Sequence, residues 1–204
     1  MRIPADAPVV TAAQMQAAEQ ALFDSGVAQI DLMEQAGAAV AREVVRFAVG
    51  QPVLVLAGPG NNGGDAYVVA RHVREAGLDV AVAALGEAKA GAAVAMRARW
   101  NGPVVPLHAA EPRPILVDGL FGIGLSRPLE RAVREPLARL TAAATFSLAI
   151  DLPSGLATDS GADMGAPAMT ATVALGALKP AHLLDAGLSR CGHVLNADIG
   201  IPVA

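Results

Sequence analysis

Residues Val53–Val73 read VLVLAGPGNNGGDAYVVARHV and give the clearest indication of the fold. An apolar run, a loop crowded with glycine and asparagine, and a helical pattern follow one another, as in the first unit of a βαβ fold. The loop also carries the spacing G-x-G-x-x-G at Gly58, Gly60 and Gly63, which occurs in dinucleotide-binding folds. The stretch therefore predicts an α/β fold with a ligand loop, and it leaves open which ligand the loop binds.

Short apolar runs and helical patterns alternate through the rest of the chain. Near-continuous apolar strands between helices are typical of a parallel sheet covered on both faces, wound as right-handed βαβ units. A capping box at Thr11 and Gln14 opens the first of two N-terminal helices, and the whole chain, 1–204, is predicted to be one α/β domain. The predicted strands are 53–57, 79–85, 104–107, 115–120, 146–151, 172–176 and 193–199. The predicted helices are 12–26, 31–50, 65–76, 88–100 and 131–143.

Composition narrows the class of protein. Hydrophobic residues make up 53% of the chain and aromatic residues only 3%, so the core must consist of alanine, valine and leucine. A net charge of −4 without a basic stripe argues against nucleic-acid binding, and the single cysteine, Cys191, excludes a disulfide within the chain. The sequence shows no signal-peptide pattern and no run near the ~18 apolar residues of a transmembrane helix. We therefore expect a cytoplasmic enzyme domain without a membrane partner.

Polar residues and glycines fall at the ends of four predicted strands. The loop Gly58–Asp65 follows the first strand, Asp118 and Asp151 end two later strands, and Lys179 follows a fourth. The carboxyl ends of parallel strands share one edge of the sheet, which is where open α/β folds bind ligands. The four strand ends therefore predict one binding site.

The glycine-rich loop admits more than one interpretation. Its glycines are expected to turn the backbone with positive φ and to let a ligand approach the N–H groups, and the following helix N-terminus favours phosphate oxygens. Asp65 could cap that helix, contact the ligand, or do both. A dehydrogenase would need an acidic residue about twenty positions further on, and Glu87 could serve. However, Asn61 and Asn62 bring large polar side chains into a loop whose residues are usually small. This favours a pocket different from that of a simple dinucleotide fingerprint.

The aspartates at the strand ends suggest a cation. Asp118 and Asp151 are predicted to be buried and to face the same crevice, and buried carboxylates need a cation or hydrogen-bond donors. Asn62 and Ser154 offer neutral oxygens, and a ligand set of low charge suits a monovalent hard cation better than a divalent one. Lys179 could neutralise a carboxylate, bind phosphate, assist proton transfer, or lie on the surface. Ser154 lacks the G-x-S-x-G context of a serine hydrolase.

Four motifs in this order resemble those of the NAD(P)H-hydrate epimerase family, the YjeF N-terminal domain: AGPGNNGGDAYVVARH, VDGLFGIGLSRPL, IDLPSGL and ALGALKPAHLL…ADIGIP. The resemblance covers essentially the whole chain. It implies a Rossmann-like three-layer αβα sandwich with a mostly parallel central sheet and N-terminal helices, often assembled as a homodimer. It also implies interconversion of the R and S forms of NADHX and NADPHX, nicotinamide cofactors hydrated at C6. A partner dehydratase that uses ADP or ATP then converts the S form back to the intact cofactor.

The same resemblance implies site residues. Asn62, Asp118 and Ser154 would hold a potassium ion. Two departures from the family pattern, Ala66 in place of glycine and GLATDSG in place of GLDADTG, remove no proposed ligand. Many bacterial members continue after DIGIP into the dehydratase, so the chain could be free-standing or one half of a longer protein. The substrate contacts implied by the resemblance are Asn61, Asn62, Gly63, Gly64, Asp65, Gly122, Ile123, Gly124, Leu125, Ser126, Arg127, Pro128 and Asp151.

The implied reaction inverts a carbon that bears a hydroxyl beside the ring nitrogen. Either the hydroxyl leaves and water returns on the other face, or the ring opens and recloses, and both routes need a proton donor and acceptor. Our hypothesis from the sequence is that Asp118 is the acid/base residue and that Lys179 assists. A metal-bound carboxylate is a poorer base, so Asp118 could instead only position the ion. Two rival functions remain: a dehydrogenase acting on intact NAD(H), and a non-catalytic binding or scaffold module.

Overall fold

The computed structural model describes residues 7–89 and 91–203 and contains one seven-stranded parallel sheet. The order of its strands is β3-β2-β1-β4-β5-β6-β7, and every pairing between them is parallel. The strands are β1 (Val53–Ala57), β2 (Val80–Ala84), β3 (Val104–Pro106), β4 (Ile115–Gly119), β5 (Phe146–Ile150), β6 (Ala171–Leu175) and β7 (His193–Ala197). This confirms the parallel α/β sheet predicted from the apolar runs.

Helices cover both faces of the sheet and give the three layers. One face carries α2, α3 and α4 and packs through residues such as Val40 and Val68, while α5 covers the other face through Leu137 and Leu140. Every residue of β1 is buried, which explains its unbroken apolar run. The helices are α1 (Ala12–Asp24), α2 (Gln29–Ala48), α3 (Asn61–Glu75), α4 (Gly91–Arg99), α5 (Arg131–Ala143) and α6 (Gly187–Arg190). In the described part of the chain, no helix has the length and apolarity needed to cross a bilayer.

The order of the strands places a crevice above β1 and β4. From β1 the chain moves outward through β2 and β3, and it then crosses back to β4 on the other side of β1. The connections on the two sides of this point leave in opposite directions, so the carboxyl ends of β1 and β4 open a gap between loops. The glycine-rich loop follows β1, and this gap is therefore the place where the structure can receive a ligand.

The glycine-rich loop differs from its sequence-based description. Helix α3 begins at Asn61, four residues before the predicted start, and its N-cap is Gly60 in an extended conformation. Asp65 therefore lies inside the helix, and the interpretation of Asp65 as its cap is wrong. The expectation of positive φ in this loop is also wrong, since the positive-φ glycines of the described residues lie elsewhere.

Close packing explains why glycine is needed in this loop. A Cβ at Gly63 would lie 1.8 Å from the carbonyl oxygen of Gly58, and a Cβ at Gly58 would lie equally close to the carbonyl oxygen of Leu120. At Gly64 a Cβ would lie 2.4 Å from the sulfur of Met33. The glycines therefore allow α3 to begin directly against β1, the loop after β4 and α2.

The remaining elements agree with the predictions to within a few residues. The capping box of α1 is confirmed by the reciprocal bonds between Thr11 and Gln14, and α5 has the predicted bounds. Helix α2 begins two residues earlier than predicted, because Ala28 is extended and serves as its N-cap. Strand β7 ends at Ala197 rather than at 199. The termini 1–6 and 204, and residue 90 within the predicted helix 88–100, lie outside the described residues.

Candidate active site

A cavity of about 470 Å³ opens at the carboxyl edge of the sheet, between α1, α2 and the loops that follow β1, β4, β5 and β6. Its size is that of a small-molecule pocket, for which roughly 300–1,000 Å³ is usual. The cavity therefore brings together residues from all four predicted strand ends. The predicted site residues that line it are Asn61, Asn62, Asp65, Gly122, Ile123, Gly124, Leu125, Asp151 and Lys179.

The other predicted residues lie outside the lining of the cavity. Gly63 and Gly64 are buried in the packing of α3. The segment Ser126–Pro128 is exposed beyond the cavity, and Arg127 pairs there with Glu130 at 3.4 Å. The cavity thus places the first half of the predicted loop Gly122–Pro128 against a ligand and leaves the second half on the surface.

Lys179 and Asp151 form a buried ion pair on the wall of the cavity. Lys179 is only 1% exposed, so the surface interpretation of this lysine is wrong. Its Nζ donates to Asp151 Oδ1 at 2.5 Å and to the carbonyl oxygens of Leu175 and Ala177 at 2.8 and 3.0 Å. All three ammonium protons are therefore satisfied, as a buried cation requires.

The backbone of Asp151 is held in an uncommon conformation. Its φ of 64° lies in the left-handed region, which residues other than glycine rarely adopt. The backbone N–H of Leu175 donates to Asp151 Oδ1 at 3.1 Å, so the lysine and β6 both bind the same carboxylate oxygen. Among the described residues Oδ2 has no hydrogen bond, and Asp151 therefore keeps one oxygen free at the cavity.

His182 connects the two members of this pair through the backbone. The Lys179 N–H donates to Nδ1 at 2.9 Å, and Nε2 lies 2.8 Å from the carbonyl oxygen of Asp151, which can only accept. The imidazole is therefore neutral, with its proton on Nε2. The motif KPAH carries no signal in the sequence that this ring holds the ion pair in place.

The state of His182 makes stability depend on pH. Burial is the main cause that lowers the pKa of His182, with the neighbouring lysine charge adding to it. The unfolded chain therefore binds the proton more readily than the folded one, so this contribution is complete above the ordinary histidine pKa of about 6.5 and is lost as pH falls below it. We expect the free energy of unfolding to fall by up to about 1.4 kcal/mol per pH unit in that range.

Denaturant unfolding at several pH values between about 5 and 8 tests this effect. The acid-side loss should be smaller in His182→Gln than in the wild type, while His108→Gln, at an exposed position, should behave like the wild type. Equal pH dependence in all three proteins would contradict the prediction. The comparison with a variant is needed because the raised pKa values of Asp65 and Asp118 act in the opposite direction.

Asp118 lies near the carboxyl end of β4 but does not line the cavity. Successive side chains of a strand point to opposite faces, and Val117 packs in the core beneath α2 and α3, so Asp118 points with Leu116 toward the α5 face. Of the two aspartates expected to face one crevice, the cavity lining therefore includes one. Asp151 lines the cavity and Asp118 does not.

The oxygens of Asp118 join the loops after β4 and β5. Oδ1 accepts from Ser154 Oγ at 2.7 Å and from the Leu120 N–H at 3.2 Å, and Oδ2 accepts from the Ser154 N–H at 2.8 Å. Ser154 Oγ in turn accepts from the Phe121 N–H at 2.9 Å. Burial raises the pKa of Asp118 and these hydrogen bonds partly offset the rise. The cluster fixes the loop that carries Phe121 and Gly122 to the cavity.

The residues predicted to hold a cation fit that role chemically. The Nδ2 atom of Asn62 is buried without a hydrogen-bond partner, and its side chain lies against Gly122, where a Cβ would approach Oδ1 to 3.3 Å. Because amide oxygen and nitrogen have nearly the same shape, the amide can present its oxygen instead. The described residues contain no cluster of three histidine, cysteine or carboxylate side chains suited to a metal. One carboxylate with amide, hydroxyl and carbonyl oxygens suits a monovalent cation.

Two acidic residues of the cavity interact with Asp151. Asp65 is buried, and desolvation, followed by the charges of Asp151 and Glu19, raises the pKa of its carboxyl well above the ordinary value. Glu19 reaches the cavity from α1, and sequence reasoning missed it. The only signal was the helical spacing of Gln16, Glu19 and Phe23, which places these three cavity residues on one side of α1.

A second groove, of about 660 Å³, lies at the ends of β2 and β3 beside α5. It is lined by residues such as Gly86, His108 and Arg139, and it contains none of the predicted site residues. Glu87, the ribose ligand that a dehydrogenase would need, lines neither this groove nor the cavity. The geometry therefore gives no support to the dehydrogenase interpretation.

Comparison with known proteins agrees with the motifs. Residues 29–181 match the family model of the YjeF-related protein N-terminus. The NAD(P)H-hydrate epimerase of Limosilactobacillus fermentum is 34% identical over 198 residues, which cover 93% of this chain and 95% of that protein. The protein of the same name from Rhodobacter capsulatus is 39% identical over 193 residues, with 85% and 91% covered.

Two further similarities extend the comparison. The bifunctional NAD(P)H-hydrate repair enzyme Nnr of Gloeobacter violaceus is 38% identical over 96% of this chain, which spans 41% of that longer protein. The crystal structure of the yeast protein ynu0 superposes with a TM-score of 0.75 at 26% identity and covers 86% of this chain and 83% of its own. With its family match, its relatives and its fold in agreement, this chain belongs to the YjeF-related N-terminal domain family.

Proposed function

We propose that this protein is an NAD(P)H-hydrate epimerase, which interconverts the R and S forms of NADHX and NADPHX. The observation that carries the proposal is the buried Asp151–Lys179 pair on the wall of a cavity above β1 and β4. The family and the names of the relatives indicate the substrate. The alternative of a non-catalytic scaffold of the same fold predicts a cavity without a usable acid or base, whereas Asp151 presents a free carboxylate oxygen.

Asp151 is the acid/base residue that this cavity favours. Loss of the C6 hydroxyl requires a proton on the departing oxygen, and return of water requires that a proton be removed. Asp151 Oδ1 is held by Lys179 and by β6, which leaves Oδ2 for the substrate. All three Nζ protons of Lys179 are donated in hydrogen bonds within the protein, so Lys179 acts by positioning Asp151. Asp118, the candidate chosen from the sequence, is the weaker candidate, because both of its oxygens accept hydrogen bonds from Ser154 or Leu120 and it does not line the cavity.

The potassium ion is part of the proposal. Asn62, Asp118 and Ser154 would hold it, and the support is the partnerless buried amide of Asn62 and the low charge of the oxygen set. When bound, the ion would supply a positive charge that stabilises negative charge on the substrate. The protein residues themselves fix the loop around Gly122 against the cavity.

Ion binding is tested by thermal unfolding, which needs no substrate. A potassium concentration ten times the Kd should stabilise the fold by about 1.4 kcal/mol and raise the Tm by a few degrees. Potassium chloride should therefore give a higher Tm than choline chloride at equal ionic strength. Ser154→Ala should lose this difference, and Ser189→Ala, at an exposed serine, should keep it. A wild-type Tm that responds equally to both salts would argue against the site.

Assembly, partner and location are also proposals. The bifunctional relatives cover this chain with less than half their length, which supports an ADP- or ATP-dependent dehydratase as the consumer of the S form. We propose a homodimer, which sedimentation would test, and a cytoplasmic location, which fractionation of the source cells would test. All three proposals, the dehydratase partner, the homodimer and the cytoplasmic location, rest on the family resemblance.

The function is tested with pure R-NADHX. The protein is incubated with it, and the ratio of R to S is followed by chromatography against the uncatalysed reaction. We expect faster approach to equilibrium with no change at the nicotinamide absorbance band. A change of that band with intact NAD(H) and a reducible substrate would instead support a dehydrogenase, and no acceleration of epimerisation would support a binding module.

A further inference from the structure

Glu19 is an acidic residue of the cavity with no partner in the fold. It is half-buried and lines the cavity from α1. Among the described residues it has no hydrogen bond and no ion pair within 4.0 Å. A partly buried carboxyl group without a partner is costly to the fold, so the position of Glu19 is better explained by a ligand than by stability.

The N-terminal segment fixes Glu19 relative to the Asp151–Lys179 pair. The Val10 N–H donates to the carbonyl oxygen of Leu178, directly before Lys179, at 2.9 Å. Helix α1 then starts at its capping box, its Ala12 N–H donates to Asp159 at 2.7 Å, and Met15 is buried one turn before Glu19. The carboxyl group is thus held at the cavity by anchors on both sides of the helix start.

Glu19 and Asp151 reach the cavity from different layers of the protein. Glu19 comes from the helix α1, and Asp151 comes from the end of β5 within the sheet. The two groups interact through their charges without a hydrogen bond. Burial, followed by the charge of Asp151, raises the pKa of Glu19, and the charge of Lys179 partly offsets this. Asp65, on α3, is the other titratable group whose charge interacts with Glu19.

Inversion at C6 needs proton transfer on both faces of the ring. The C6–O bond breaks as the hydroxyl oxygen takes a proton and leaves as water, while the lone pair of the ring nitrogen forms a C=N⁺ bond. Water then adds to the opposite face and gives a proton to a base. The product has the same composition as the substrate, and one proton has passed from the acid on one face to the base on the other. With a carboxyl group on one face only, water returns to the face that it left and the original isomer forms again.

We propose that Glu19 is the second acid/base residue of the epimerase, acting on the ring face opposite to Asp151. This inference rests on the proposed function. Glu19 and Asp151 then exchange roles in the two directions of the reaction, since each in turn gives a proton to the departing oxygen or takes one from the entering water.

The test compares Glu19→Gln with the wild type in water enriched in the heavy oxygen isotope. The amide keeps the size of the side chain and removes its proton-transfer ability. We expect kcat for epimerisation to fall by about 10²-fold or more, with KM changed by less than about threefold. Isotope exchange into the starting isomer should persist, because Asp151 can still transfer protons on one face of the ring. In the wild type, exchange and inversion should occur together.

Further variants separate this role from a structural one. Glu19→Asp should recover part of the activity, and Glu111→Gln, at an exposed glutamate outside the cavity, should match the wild type. In the pH profile of kcat, Glu19→Gln should remove the limb that belongs to the acidic group, whereas a purely structural defect would lower all points equally. Epimerisation by Glu19→Gln within about threefold of wild type, or equal loss of exchange and inversion, would overturn the proposal. Failure of the wild type to accelerate epimerisation would instead overturn the proposed function.

Discussion

Asp151→Asn is expected to lower kcat for the interconversion of R- and S-NADHX by about 10²–10⁴-fold, the range that a general acid/base residue contributes. The substitution is conservative in shape. Its amide oxygen can still accept from Lys179 and from the Leu175 N–H, and asparagine tolerates the left-handed φ of 64° at this position. Proton transfer through Oδ2 is what the variant loses.

KM should change little, because the amide still fills the same part of the cavity wall. The unfolding midpoint has to be measured beside the kinetics, since Asp151→Asn leaves Lys179 without its counter-charge. Assays are therefore run well below the midpoint of the variant. Asp79→Asn is the matched control, because Asp79 pairs with Arg113 at the opposite edge of the sheet.

Asp118→Asn is the informative comparison. It removes the charge from the Asp118–Ser154 cluster but leaves the Oδ2 atom of Asp151 in place. If Asp118 is the acid/base residue, as the sequence-based hypothesis has it, Asp118→Asn should lose more activity than Asp151→Asn. The geometry of the cavity predicts the larger loss of activity for Asp151→Asn. If Asp118→Asn lost more than tenfold more activity than Asp151→Asn, the assignment to Asp151 would be wrong.

The sheet could be predicted because its strands are buried on both faces. The run Val53–Ala57 is apolar without alternation, and it forms an interior strand of the sheet with every residue buried. The rule that ligands bind at the carboxyl edge then followed from strand direction alone. This local reasoning was sufficient to bring Asn61, Asp151 and Lys179 into one predicted site, and the structure places all three on one cavity.

The face of the sheet on which each strand-end residue lies could not be predicted. Val117 and Asp118 are neighbours that point to opposite faces, but nothing in the strand indicates which face carries α1 and α2. Glu19 was missed for a related reason, since its helix meets the strand ends only through tertiary packing. The start of α3 was missed because asparagine and glycine usually indicate a loop, whereas here they form the first turn of the helix.

Lys179→Met is expected to lower the free energy of unfolding by about 3–5 kcal/mol, the cost of removing one partner from a buried ion pair. Methionine fills nearly the same volume, so the loss comes from charge and hydrogen bonding rather than from a cavity. Asp151 would keep its charge near the cavity wall with only the Leu175 N–H as a donor, and the carbonyl oxygens of Leu175 and Ala177 would lose theirs. For a chain of this size, the Tm should fall by on the order of 10 °C.

Denaturant unfolding of four proteins separates charge from packing in this variant. Lys89→Met, at an exposed lysine, should change the free energy of unfolding by less than about 0.5 kcal/mol. The double variant Lys179→Met/Asp151→Asn should be more stable than Lys179→Met alone, because it removes the uncompensated carboxylate. A loss below about 1 kcal/mol in Lys179→Met would show that water reaches the pair and screens it. Asp151 would then not be held by the lysine, and the role of Lys179 as its positioning residue would have to be abandoned.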